Sequence, residues 1–236
     1  MIRADVRSRL RAADLDLVIL VLSRGSARRR RELERQLRTE GPDPLLDAPE
    51  LLDQLVAVRS MLAPGEHLFL YVALRHFLRG AGVDDRDLAD YLAAVVLAFG
   101  ERDRAFRVDW HDDQHHGYLV DILADLDATA GERRFQVMVH LGNYALWLAG
   151  LFPDYIAARR LRHGGPDVSY YDAVGRRGFG MASDHSLADR YGLDGVFRTA
   201  AERFGSLRAA LNNVSDRFLF PAVFNPERVM RQLGVH

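Results

Sequence analysis

The residues best equipped for chemistry lie in VDWHDDQHHGYLVD, positions 108–121, where three histidines and two adjacent aspartates fall within six positions. Imidazole nitrogens and carboxylate oxygens bind divalent metals, and a carboxylate beside a metal-bound water can act as a general base. On a helix, His111 and His115 would share one face and Asp112 and His116 another, about 100° round. The four do not converge from a single helix, so a metal needs further ligands. Asp121 and Asp125, one and two turns on, share a face and could supply them. The metal candidates are therefore His111, Asp112, His115, His116, Asp121 and Asp125. The plainer expectation is that Asp112 or Asp113 caps a helix whose apolar stripe begins at Leu119. His115 and His116 would then sit exposed in its first turn.

Two more groups could bind a ligand. In FQVMVHLGNYALWLAGLF, 135–152, His140 has Asn143 and Tyr144 one turn on. Three polar tips on a buried face need partners, since an unpaired buried donor costs about 1–3 kcal/mol. In GRRGFG, Arg176 and Arg177 lie among glycines and could hold a phosphate or carboxylate. The competing expectation there is a kinked helix packing closely on a neighbour. Gly142 and Gly150 likewise suit a close helix approach.

Several chemistries are excluded outright. The chain has no cysteine, so disulfides, thiolate nucleophiles and cysteine metal sites are absent. All 32 basic residues are arginine, which removes Walker-type, kinase-type and Schiff-base lysines. The glycine spacing of GRRGFG is not a dinucleotide fingerprint, and no G-x-S-x-G elbow occurs. HD-type phosphohydrolases share only the dipeptide His111-Asp112 and an upstream His76. Isoprenoid synthases need DDxxD, where this chain offers Asp121-Ile-Leu-Ala-Asp125. Neither resemblance extends beyond those residues.

The elements that must position these groups read as helices. Leu88, Leu92, Val95 and Phe99 repeat at helical spacing, as do Leu119, Ile122, Leu123 and Leu126. Ser169 with Asp172 reads as a capping box, Ser206 as an N-cap, and Asn225 with Pro226 and Gly234 as the start and stop of a last helix. LDLVILVL, 15–22, and RAFRVDW, 104–110, are the only strand candidates, too few for a sheet. The expected fold is all-α, a multi-helix bundle with a helical N-terminal extension. Helices over 3–22 and 26–40 form that hairpin or arm, residues 1–40, and the proline-rich stretch 41–50 leads to a main helical domain, 48–236.

Net charge is −1, so no global field favours nucleic acid. Residues 1–40 carry eleven Arg against six Asp or Glu, whereas 109–127 carry six Asp and no Arg. Opposite patches of this kind suit protein contacts. The uncharged run at 135–152 reads as a buried central helix rather than a membrane span. With no secretory signal, the expected location is the cytoplasm. The leading functional expectation is a non-enzymatic interaction or regulatory protein that binds itself or another protein. The alternatives are a metal-dependent hydrolase using the cluster at 109–125, and a helical pocket for an anionic or apolar small ligand. No cofactor is expected, a divalent metal being the one candidate.

Overall fold

The computed structural model describes residues 1–221, and the helix expected over Asn225–Gly234 lies outside them. The described chain is a multi-helix bundle with no strand. It divides into two compact units. One is Arg3–Ala94, and the other is Met1 and Ile2 with the chain from Val95 onward.

The first unit begins with a single turn at Arg7–Arg9 rather than the helix expected from residue 3. Arg7 explains the interruption. Its backbone N–H donates to Asp90 at 2.7 Å, and its guanidinium reaches Asp43 at 3.3 Å and Asp87 at 2.5 Å. Helix α1 (Ala12–Ser23) starts where Asp14 accepts the Arg11 N–H at 2.9 Å. The apolar run 15–22 is thus helical, burying Val18, Ile19, Val21 and Leu22. Helix α2 (Ala27–Glu40) is capped by Ser26 and buries only Leu33. Its charges pair along its own surface, Arg28 with Glu32 and Arg30 with Glu34.

A short α3 (Asp43–Leu46), α4 (Leu51–Val58) and α5 (Glu66–Gly80) follow, with α1 packing on α2 and α4. Their core is Leu45, Leu51, Leu55, Leu68, Tyr71 and Leu74, each essentially inaccessible. Asp47 ties this unit together. It accepts from Arg75 Nε at 2.7 Å and from Arg86 Nη2 at 2.7 Å, and Arg75 also donates to Asp84. These arginine bonds hold the Asp47 carboxyl below the usual range against its desolvation. Helix α6 (Arg86–Gly100) buries the expected stripe of Leu88, Leu92, Val95 and Phe99, and the boundary between the units falls within it.

The second unit is organised on α8 (Gly131–Leu151), which buries residues on every side, including Phe135, His140, Asn143 and Tyr144. No helix among the described residues is long and apolar enough to cross a membrane. Around α8 pack α7 (Leu119–Ala128), α9 (Pro153–His163) and α10 (Val168–Ser183), followed by α11 (Ser186–Arg190), α12 (Asp194–Glu202) and α13 (Phe204–Val214). The segment 104–110 holds one turn, Arg104–Phe106, and no strand.

Small residues set the closest crossing. A Cβ on Gly178 would lie 2.7 Å from the Gly142 backbone nitrogen, and one on Gly142 would lie 2.7 Å from the Phe179 ring. GRRGFG therefore continues α10 without interruption, and its buried glycines are the contact with α8. Phe179, Phe197 and Phe204 fill the adjoining core, with Phe179 stacked on Phe197 at 6.0 Å. The last carbonyls of α8 have no helical partners of their own. Asn212 Nδ2 donates to Ala149 and Gly150, and Ser215 Oγ donates to Leu151 at 2.7 Å. Two cap details differ from expectation. Asp167, not Ser169, caps α10 by accepting from the N–H groups of Ser169 and Tyr170, and α13 begins at Phe204, leaving Ser206 inside it.

Candidate functional site

The histidine segment forms a loop before α7, and its residues scatter. Asp121, not Asp112 or Asp113, caps α7 by accepting the Tyr118 N–H at 3.1 Å. His115 is exposed, and His111 points to solvent beside Asp109 at 3.0 Å. Asp112 turns inward, where Arg133 of α8 donates to it at 2.8 Å and to Asp125 at 3.1 Å. His116 is fully buried, contrary to the exposed first-turn position expected for it. Its N–H donates to Phe106 O at 2.8 Å, which draws the ring under the loop. His116 Nε2 lies 3.4 Å from Asp125 Oδ2 without hydrogen-bond alignment, and both ring nitrogens lack a hydrogen-bond partner among the described residues.

The six metal candidates thus separate: Asp112, Asp125 and His116 gather near Arg133, while His111, His115 and Asp121 do not join them. Among the described residues no three carboxylate, imidazole or thiol groups come together in a way that could hold a metal ion.

The ligand-binding candidates separate too. His140 and Asn143 border a hollow of about 10 Å³ with Arg104, Val108 and Gln136, room for one water at most. His140 Nε2 is buried without a hydrogen-bond partner among the described residues. Burial first, then the charges of Arg104 and Arg133 and the neighbouring His116, push its pKa well below the ordinary histidine value. Arg176 and Arg177 are exposed on α10 and line none of these hollows. Tyr144 goes elsewhere: its hydroxyl donates to Gly117 O at 3.1 Å, closing the loop against α8.

Tyr144 stands at the floor of a cleft of about 480 Å³. The walls are Gly117–Val120 at the start of α7, Tyr144 and Leu148 of α8, Arg159 of α9, and Pro166, Tyr170 and Tyr171 at the start of α10. Each is placed by local structure. Tyr118 is extended (φ −135°, ψ 152°) immediately before α7, so its ring stands off the helix. Tyr144 and Leu148 are one turn apart and share a face. Pro153 at the first position of α9 and Gly164 in the left-handed region after it fix the stretch that carries Arg159. The Asp167 cap orients Tyr170 and Tyr171, whose rings meet edge to face at 5.9 Å.

Burial pushes the Tyr144 hydroxyl up to about 12 and raises that of Tyr171, so both stay protonated donors at neutral pH. Arg159 stacks its guanidinium over the Tyr118 ring, 4.6 Å from the centroid. The mouth is greasy as well: Val120 is 63% exposed and Tyr118 51%. Sequence reasoning reached Tyr144 but missed Tyr118, Arg159, Tyr170 and Tyr171. The doublet Tyr170-Tyr171 and the aromatic before the Leu119 stripe were the available signals, and neither has a diagnostic spacing.

A second hollow, about 290 Å³, lies in the first unit between Leu46–Pro49 and Val72–Gly80, lined by Asp47, Arg75, His76 and Arg79. Its charged groups are largely engaged with one another, as described above. No family model, no curated protein and no solved structure matches this chain.

Proposed function

We propose that this chain is a helical binding protein for a small, largely apolar ligand, with the tyrosine-lined cleft of the second unit as its site. The observation that carries the reading is the cleft itself. Its volume lies within the roughly 300–1,000 Å³ of small-molecule pockets, and it combines aromatic and aliphatic walls with few polar groups. Buried tyrosine hydroxyls and one arginine give those walls orientation. Exposed Val120 and Tyr118 at the mouth are apolar surface that a bound ligand would cover.

A fluorescence titration with phenylnaphthylamine, a neutral aromatic probe, tests this. Saturable binding at one site per chain is expected, weakened at least tenfold by Val120→Trp at the exposed mouth or Leu148→Trp in the wall. Absence of binding, or binding indifferent to both substitutions, would refute the reading. Native mass spectrometry of gently purified protein would in addition look for a small molecule carried through.

Self-association through the arginine-rich N-terminal helices is supported by the exposure of α2, although Arg28, Arg29 and Arg30 already pair within the helix. Light scattering tests it, and a monomeric mass would count against it. The metal-dependent hydrolase is supported by His116 beside Asp125. A cation there would have to share Asp112 and Asp125 with the fixed charge of Arg133. Elemental analysis decides that point.

A further inference from the structure

Several arginines of this unit are paired with carboxylates. Arg133 pairs with Asp112 and Asp125, Arg208 with Asp172, Arg198 with Asp194, and neighbouring Arg160 approaches Asp167 at 3.9 Å. Arg159 has no carboxylate partner among the described residues. Its one close contact of this kind is the face of Tyr118. It is only partly exposed and, among the described residues, is the single charged one in the lining of the cleft.

A guanidinium stacked on an aromatic ring keeps its N–H edge free, because the stacking uses the flat face. That edge is a planar fork matched to carboxylate and sulfonate oxygens. Tyr171 adds a hydroxyl to the lining, whereas the Tyr144 hydroxyl is already engaged with Gly117 O. Arg159 acts on both Tyr144 and Tyr171, drawing their hydroxyl pKas down against the effect of burial. The rest of the lining is flat or apolar: the rings of Tyr118, Tyr170 and Tyr171 with Leu119, Val120 and Leu148. The charged part of the lining is therefore Arg159, and the remainder is shaped for a ring system.

We infer that the occupant of this cleft is a flat aromatic molecule bearing a single anionic group, held at that group by Arg159. The inference rests on the cleft being the binding site. It adds the charge of the ligand and the residue that reads it. One unpaired guanidinium balances one negative charge, so a dianionic phosphate ester would leave a charge uncompensated in a half-enclosed apolar site.

The test compares two probes of nearly the same shape, anilinonaphthalene sulfonate, which is singly anionic, and neutral phenylnaphthylamine. They are titrated into the full chain, its Arg159→Met and Arg159→Lys variants, with near-ultraviolet circular dichroism confirming that each stays folded. The expected result is a preference for the sulfonate on the order of tenfold, the size of one charge-assisted hydrogen bond. Arg159→Met should abolish that preference by weakening sulfonate binding about tenfold more than phenylnaphthylamine binding, whereas Arg159→Lys should retain part of it. Equal binding of both probes, unaffected by Arg159→Met, would overturn the inference and leave the cleft standing. Equal weakening of both probes by Arg159→Met would make the arginine a prop for Tyr118 and would also overturn it. Binding of neither probe would remove the cleft reading and the inference together.

Discussion

His140 illustrates how one buried side chain makes the molecule sensitive to acid. In the unfolded chain its imidazole takes up a proton near the ordinary value of 6.5, whereas in the folded protein burial and neighbouring positive charge keep it neutral. The unfolded state then binds more protons, so the stability contributed is complete above that value and is lost as pH falls below it. Chemical denaturation at about pH 7.5 and about pH 5.5 should show a loss near 1 kcal/mol attributable to this group, and His140→Leu should flatten that slope. A slope unchanged in the variant would assign the effect to other groups. Asp47 makes the opposite case, a carboxylate whose charge is needed. With Arg75 buried against it, Asp47→Asn should cost about 3 kcal/mol in a urea titration, since it leaves a buried guanidinium short of a counter-charge. A loss below about 1 kcal/mol would show that Asp84 alone suffices to balance Arg75.

At the scale of elements, the closeness of α8 and α10 brings Tyr144 and Tyr171 into one cleft. Two glycines of α10 separate packing from propensity. Alanine in place of glycine gains about 1 kcal/mol of helix propensity anywhere inside a helix. At Gly180 nothing among the described residues lies within 4 Å of the new Cβ, so Gly180→Ala should stabilise the protein. At Gly178 the Cβ meets the Gly142 backbone at 2.7 Å, and overpacking of about 1–3 kcal/mol outweighs the gain. Thermal melts of the two variants should therefore shift in opposite directions, and shifts of the same sign would contradict the close crossing.

This same contact shows what could be read from sequence. Gly142 and the buried pair Gly175 and Gly178 were legible as packing residues, because a missing Cβ on a buried helix face allows close approach, whereas Gly180 has no such neighbour among the described residues. The stripe Leu88–Leu92–Val95–Phe99 was legible because periodicity is local. The site was less so. His116 looks like its exposed neighbour His115 in sequence, and only the bond from its N–H to Phe106 O turns it inward. Arg159, Tyr118 and Tyr170 come from three separate segments, and no spacing within any one of them announces that they meet. The turn at Arg7 was hidden for a similar reason, since its carboxylate partners lie 36 to 83 residues away.

For the molecule as a whole, cleft occupancy should appear as added stability. A ligand at a hundred times its dissociation constant contributes about 2.7 kcal/mol, a shift of a few degrees in the melting midpoint of a chain this size. The account also requires that protection appear in one place. Hydrogen exchange measured with and without saturating phenylnaphthylamine tests this most directly. Slowed exchange at Gly117–Val120, around Tyr144–Leu148 and at the start of α10 is the predicted result. No slowing in those segments, or slowing confined to the hollow between Leu46 and Gly80, would contradict it.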